Sequence, residues 1–217
     1  INVPTSLLAM VDASVGGKTG VDLGALKNQI GVIAQSQMVL IDTHYLNTLP
    51  GKEMRSGHAE ILKHGLIASK DYWLKAINLS ELTMDSYDEL IYESVIIKNN
   101  IVTQDPTEQG MRKALNFGHT LGHAIESFLL EHEEKAAILH GEAVAVGMVL
   151  ALYLSVEHEG FPKAESLEAC KSLKGIYGKI DFNKKDIEAI IVLLKYDKKN
   201  VGGRINFVLL KDFGKPI

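Results

Sequence analysis

From Gly51 onward the chain places apolar residues at the three-and-four spacing of helices, and five stretches predict them: 57–68, 85–103, 118–128, 142–157 and 186–194. Pro106 and Gly110 separate the second stretch from the third, and the sparse use of proline elsewhere agrees with a helical build. Before Gly51 the chain is loop-rich. Two apolar runs there are short enough for strands. Leu7 to Val11 leads into a glycine loop, Ser14-Val15-Gly16-Gly17-Lys18-Thr19-Gly20, and Met38-Val39-Leu40-Ile41 ends at Asp42 as a buried strand would. Residues 21–24 look irregular. After Gly202-Gly203, the segment from Arg204 to Leu210 predicts a last strand. The pattern therefore divides into residues 1–50, part of an α/β domain, and residues 51–217, a mostly α-helical domain, joined near Leu49-Pro50-Gly51. Two lobes of this kind commonly hold an active site between them.

Composition narrows the class without naming a chemistry. A length of 217 residues suffices for a real core, and 46% hydrophobic with 23% charged residues is ordinary for a globular protein. The net charge of −4 gives no reason to expect nucleic acid or an anionic membrane surface as partner, although a local basic pocket can still take a small anion. A single cysteine, Cys170, excludes an internal disulfide and a cysteine-built zinc site, and points to the cytoplasm. The longest apolar run, Ala143 to Val156, is bounded by Glu142 and Glu157 and is expected to be a buried core helix rather than a membrane span. The start at Ile1 reads as a truncation, and the end at Phe213-Gly214-Lys215-Pro216-Ile217 as an interrupted phrase.

The candidate chemistry lies in three phrases: Gly57-His58-Ala59-Glu60-Ile61-Leu62-Lys63-His64-Gly65, Asn116-Phe117-Gly118-His119-Thr120-Leu121-Gly122-His123-Ala124-Ile125-Glu126, and Leu139-His140-Gly141-Glu142. Residues four apart share a helix face, so His119 pairs with His123 and Glu60 with His64, while Glu126 continues the histidine face. Glycine costs about 1 kcal/mol in a helix relative to alanine. Gly118 and Gly122 beside the imidazoles therefore predict close approach by a metal or a substrate. Imidazoles with a carboxylate suit a divalent cation held by nitrogen and oxygen. No His-Glu-x-x-His is present, which argues against a metalloprotease of that type, and one cysteine cannot supply the deaminase motif. Gly17-Lys18-Thr19 matches the end of a P-loop, but Asp12 stands where the first glycine is required and no helical pattern follows, so an ATPase is rejected. Lys18 and Lys27 remain suited to neutralise a phosphate or carboxylate. Lys98 sits beside the apolar Val95-Ile96-Ile97, and the planar fork of Arg112 suits a substrate carboxylate.

Taken with Val3-Pro4-Thr5-Ser6-Leu7-Leu8, the run Val11 to Gly20, and Lys27-Asn28, these phrases resemble the 3-dehydroquinate synthase family of sugar phosphate cyclases almost end to end. The resemblance implies an α/β remnant of an NAD-binding domain followed by a mostly α-helical metal-binding domain, with most of the NAD-binding half absent. It implies an NAD- and metal-dependent lyase of the shikimate pathway, which serves aromatic amino acid biosynthesis. The substrate would be a small anionic sugar phosphate. The metal, Zn2+ or Co2+, would be held by Glu60, His119 and His140, which makes His123 a substrate contact rather than a ligand. Asp12, Lys18, Asn28, Lys63, Lys98, Arg112 and Asn116 would line the substrate pocket, with Lys198 or Lys199 adding a contact. Thr5, Ser6, Lys18, Lys27 and the turn Tyr45-Leu46-Asn47-Thr48 would reach NAD. Ser6 stands where the family usually has threonine, and the hydroxyl is kept. The resemblance also suggests a homodimer. Other sugar phosphate cyclases, glycerol-type dehydrogenases and an inactive fragment are the alternatives.

Overall fold

The computed structural model describes residues 1–23, 26–78, 83–132, 138–195 and 205–217, with only the backbone described for 22–23, 26–29 and 195. The chain divides into two compact units, Ile1–Leu115 and Asn116–Ile217.

In the first unit the apolar run after Pro4 is helical, not the strand its composition suggests. The Ser6 hydroxyl accepts the Ala9 amide and the Ser6 carbonyl accepts that of Met10, which starts a turn. The turn continues as a π-helix, Ala9–Ala13, with the Ser14 amide donating to the Ala9 carbonyl at 3.0 Å. Leu7, Met10 and Val11 are buried on it. A short apolar run fits a buried helix as well as a strand, and here the serine decides. One-turn π segments often mark functional positions, and this one carries Asp12.

Residues 21–24 were expected to be irregular; Val21–Leu23 is instead a strand, and Gly24 lies outside the described residues. Strand β1 (Val21–Leu23) pairs antiparallel with β2 (Leu26–Ile30), Val21 facing Ile30. The glycine loop is thus followed by a strand. The run 38–41 is a second correction. It forms only a parallel bridge, Asn2 to Val39, and Met38 and Leu40 are exposed rather than buried.

A 3-10 turn, Thr43–Thr48, capped by the Asp42 carboxylate, leads into helix α1 (Gly51–Ala68). Every residue from Ser56 to Ile67 is buried, which makes α1 the centre of this unit. Two of its glycines are contact points for backbone. A Cβ on Gly57 would lie 2.5 Å from the Leu8 nitrogen, and one on Gly65 would lie 2.7 Å from the Trp73 Cα. Helix α2 (Lys70–Ile77), not anticipated from the sequence, starts at the Ser69 cap and buries Tyr72, Trp73 and Ala76. Helix α3 (Met84–Gln104) packs on α1 and on the π-helical segment.

The second unit is built on α4 (His119–Leu130) and α5 (His140–Glu159), which meet at backbone distance. A Cβ on Gly147 of α5 would lie 1.9 Å from the Gly118 carbonyl oxygen, and one on Gly122 would lie 3.1 Å from the Val144 Cα. The glycines beside the histidines thus serve the approach of α5, not of a metal or substrate, which corrects the reading of that phrase. Gly118 also needs its φ of 77° to turn the chain into α4. Helix α5 is long and apolar enough to cross a membrane by composition, yet it packs against α4, α6 (Lys163–Tyr177) and the terminal hairpin and buries Ala143, Val144, Met148 and Leu152 there. Helix α6 was likewise not anticipated. On the far side of α4, Ala124, Ile125, Phe128 and Leu129 form a core with Ile190 and Leu194 of α7 (Lys184–Lys195).

The last strand begins later than expected. Residues 205–209 are not strand, and Leu210–Asp212 (β3) pairs with Lys215–Pro216 (β4) around Gly214 at φ 70°. The Ser155 hydroxyl of α5 accepts the Leu210 amide at 3.0 Å and seats this hairpin.

Candidate functional site

Each unit carries a cluster of chemically active side chains. In the first unit it forms around Asp12, Glu60, Lys63, His64 and Lys98. The i,i+3 and i,i+4 spacing on α1 puts Lys63 and His64 over Glu60, and the π-helical turn brings Asp12 to the same place. Lys98 of α3 donates to the Asp12 carboxylate at 2.6 Å and to its carbonyl at 2.5 Å. Lys63 pairs with Glu60 and lies 3.8 Å from the Asp12 carboxylate. Carboxylate oxygens of Asp12 and Glu60 and a ring nitrogen of His64 lie within 4.8 Å of one another.

Two negative and two positive charges share a buried space, and each shifts the others. Burial works against the Asp12 carboxylate, but Lys98 and then Lys63 outweigh it and hold its pKa well below the usual carboxylate range. Burial also works against the Lys63 ammonium, yet Glu60 and Asp12 raise its pKa above the ordinary lysine value. At Lys98 burial prevails over Asp12 and the pKa falls. His64 is pushed down to about 3 by burial and by the Lys63 ammonium, so it is neutral. Its Nδ1 meets the Ser94 hydroxyl at 2.5 Å, and its buried Nε2 has no hydrogen-bond partner among the described residues.

His58, in the same helix, has a structural duty. Its Nε2 meets the Ala76 carbonyl at 2.9 Å and its Nδ1 faces the Tyr87 hydroxyl, tying α1 to α2 and α3. Burial pushes its pKa down to about 4 from an ordinary 6.5. Between those values the unfolded chain binds the proton and the folded chain does not, so stability falls as pH falls through the window. The full effect is about 3 kcal/mol, and His64 acts in the same direction. We expect the urea midpoint to drop between pH 6.5 and 4, and His58→Gln to flatten that drop. An identical pH profile in the variant would contradict this.

The other first-unit candidates are spread along it. Lys18, half exposed, pairs with Glu108, whose φ of 61° is unusual for a non-glycine residue. Arg112 is buried, and its fork is directed inward: Nη1 donates to the Pro106 carbonyl and Nη2 to that of Gly16, both at 2.7 Å. Instead of an open fork awaiting a carboxylate, it pins the glycine loop. A water-accessible cavity of about 410 Å³ lies beside that loop, lined by Ser14, Gly16, Gln35, Asn99 and Thr103 among others. Thr5 is exposed, and Ser6 caps the helical turn. Within the 3-10 turn Tyr45, Asn47 and Thr48 are exposed, whereas Leu46 is a core residue. Lys27 and Asn28 lie on β2 with side chains outside the described residues, and Lys198 and Lys199 lie outside them altogether.

In the second unit three imidazoles meet. Ring nitrogens of His119, His123 and His140 lie within 4.8 Å of one another, and ring centroids are 5.3 to 5.7 Å apart. His119 and His140 occupy the first positions of α4 and α5, and His123 follows one turn into α4. The Nδ1 of His119 lies 3.1 Å from the Phe117 carbonyl, and the Nδ1 of His140 lies 3.2 Å from the Glu126 carboxylate. The Phe117 carbonyl can only accept, so the His119 Nδ1 carries a proton, and the Glu126 carboxylate draws one to the His140 Nδ1 in the same way. A neutral imidazole with Nδ1–H held by an acceptor is the usual state of a metal-ligating histidine. Asn116 lines a small crevice with Gly118, Thr120, Gly147 and Phe207.

Two family models match adjoining parts of the chain: the model described as 3-dehydroquinate synthase N-terminal covers residues 1–56, and that described as 3-dehydroquinate synthase C-terminal covers residues 57–200. The chain belongs to the 3-dehydroquinate synthase family. It is 46% identical over 99% of its length to a 3-dehydroquinate synthase of Parabacteroides distasonis, and 43% identical over 100% to one of Leptospira interrogans. It spans about three-fifths of the length of these curated relatives. Among solved structures it is similar to a 2-deoxy-scyllo-inosose synthase complexed with carbaglucose-6-phosphate, NAD+ and Co2+, with a TM-score of 0.82 and 27% identity over 99% of this chain and 60% of that one. A 2-epi-5-epi-valiolone synthase from Streptomyces hygroscopicus, with NAD+ and Zn2+ bound, has a TM-score of 0.84 at 24% identity over the same share of this chain and 60% of its own, and shows the shared fold. The dehydroquinate synthase-like architecture expected from the motifs is thereby established.

Beyond the residues given a site role from the sequence, the structure brings in His64, Ser94 and Glu108 in the first unit and Glu126 in the second. His64 and Glu126 carried a sequence signal, since each lies one or two turns from a candidate residue on the same helix face. Ser94 and Glu108 had none, because their partners are distant in sequence.

Proposed function

We propose that this chain carries the metal- and substrate-binding part of a 3-dehydroquinate synthase, an NAD-dependent lyase that converts 3-deoxy-D-arabino-heptulosonate 7-phosphate to 3-dehydroquinate and phosphate. The observation that carries the reading is the imidazole cluster with two Nδ1 atoms already bonded to acceptors. Such a donor set, joined by one carboxylate, suits Zn2+ or Co2+. In this reading Glu60, His119 and His140 hold the cation and His123 contacts substrate. Thr5, Ser6, Lys18, Lys27 and the 45–48 turn serve NAD, and the protein acts as a homodimer in the cytoplasm.

A cation held by Glu60, His119 and His140 would supply Lewis acidity toward a substrate hydroxyl, and NAD would supply a reversible hydride acceptor. The chain's own groups do the rest. The substrate's phosphate and carboxylate need cationic partners, and Lys18, Lys63 and Lys98 offer them, with Asn28, Asn116 and one of Lys198 and Lys199 adding hydrogen bonds and Arg112 holding the glycine loop in place. Lys63 stays protonated because Glu60 and Asp12 favour its charge. Lys98 donates to the Asp12 carboxylate at 2.6 Å, and that bond holds its ammonium in place although burial disfavours the charge. Lys18 is exposed enough to exchange Glu108 for a phosphate oxygen. Holding both ends of the substrate brings the chain into a reactive shape for phosphate loss and ring closure.

The test is phosphate release by the full-length protein given the heptulosonate phosphate, NAD and Co2+. We expect NAD-dependent release with no net NADH. No release would overturn the reading, and net NADH would favour a dehydrogenase. A second reading, another sugar phosphate cyclase, draws on the likeness to the 2-deoxy-scyllo-inosose synthase, and phosphate release from glucose 6-phosphate would favour it.

A further inference from the structure

We infer that Glu126 is a positioning residue of the metal centre, holding His140 through its Nδ1–H and adding negative charge behind the ligand. The inference rests on the reading that His140 binds the cation. Glu126 lies two turns along α4 from His119 and one turn from His123, so its side chain falls on the same face as both imidazoles. It is 5% exposed, and its Oε2 is 3.2 Å from the His140 Nδ1.

A second observation explains why charge is needed at this place. His119 and His140 stand at the first positions of two helices, whose amino-terminal ends carry positive partial charge and repel a cation. Behind His119 the Nδ1 acceptor is a neutral carbonyl, that of Phe117. Behind His140 it is an acidic side chain, that of Glu126, whose oxygen lies 3.2 Å from the Nδ1 and places an acid where the helix ends would otherwise face the cation alone. The two imidazoles are therefore unequal donors, and the bond through His140 is the stronger.

The experiment measures Zn2+ and Co2+ affinity of the full-length protein by competition with a chromophoric chelator, together with the visible spectrum of the Co2+ form. Glu126→Ala is expected to weaken binding about 10- to 100-fold and to shift the cobalt bands. Glu126→Gln keeps an acceptor oxygen without the charge and is expected to fall between. His140→Ala separates the two claims. If it loses metal while both Glu126 variants bind as tightly as the unaltered protein, the inference fails and the ligand assignment stands. If His140→Ala also binds normally, the assignment itself fails. Should Glu126→Ala not fold, the Gln variant decides alone: unchanged affinity and unchanged cobalt bands overturn the proposal.

Discussion

Glu60→Ala is expected to remove bound zinc and phosphate-releasing turnover together. Glu60 is fully buried on the central helix of the first unit, and it is the one carboxylate in the proposed ligand set. Removing it leaves two neutral imidazoles, so no anionic ligand balances the cation. The loss of affinity should exceed the roughly 10- to 100-fold typical of outer-shell partners. Folding should survive better than binding, because Lys63 keeps the Asp12 carboxylate 3.8 Å away. Metal analysis after dialysis, alongside a phosphate-release assay, checks this. Stoichiometric zinc with undiminished turnover in the variant would remove Glu60 from the site.

Lys63→Met is expected to cost about 3–5 kcal/mol of stability, the usual penalty for breaking a buried ion pair from one side. Lys63 is 1% exposed, pairs with Glu60 and has its charged form favoured by two carboxylates. Methionine of similar length fills the space but leaves Glu60 beside Asp12 with Lys98 as the remaining nearby ammonium. The measurement is the denaturant midpoint without substrate or metal, so that a binding role of Lys63 does not enter. An unchanged midpoint would mean that the cluster is not held together by its charges.

The fold and the site were legible from the sequence to different degrees. Long amphipathic stretches gave their helices away, and the ends of α3, α4, α5 and α7 each lie within two residues of the expected bounds. Short elements did not. The run from Leu7 to Val11 has the composition of a strand, but a serine hydroxyl turns it into a helix that positions Asp12. Helices α2 and α6 begin at Ser69 and Pro162, ordinary start signals that their mixed patterns did not reinforce. At the site, i,i+4 spacing placed His123 beside His119 and His64 beside Glu60. No spacing rule could show that Gly118 and Gly122 admit α5, since that depends on Gly147, far along the chain. Nor could it show the engagement of Arg112 with the Pro106 and Gly16 carbonyls.

The most direct test of the central claim is X-ray absorption at the zinc edge of the metal-loaded full-length protein. Nitrogen and oxygen neighbours near 2.0–2.2 Å and outer-shell scattering from two imidazoles are expected. Scattering from three imidazoles would make His123 a ligand in place of a substrate contact, and scattering from none would contradict a centre built on His119 and His140.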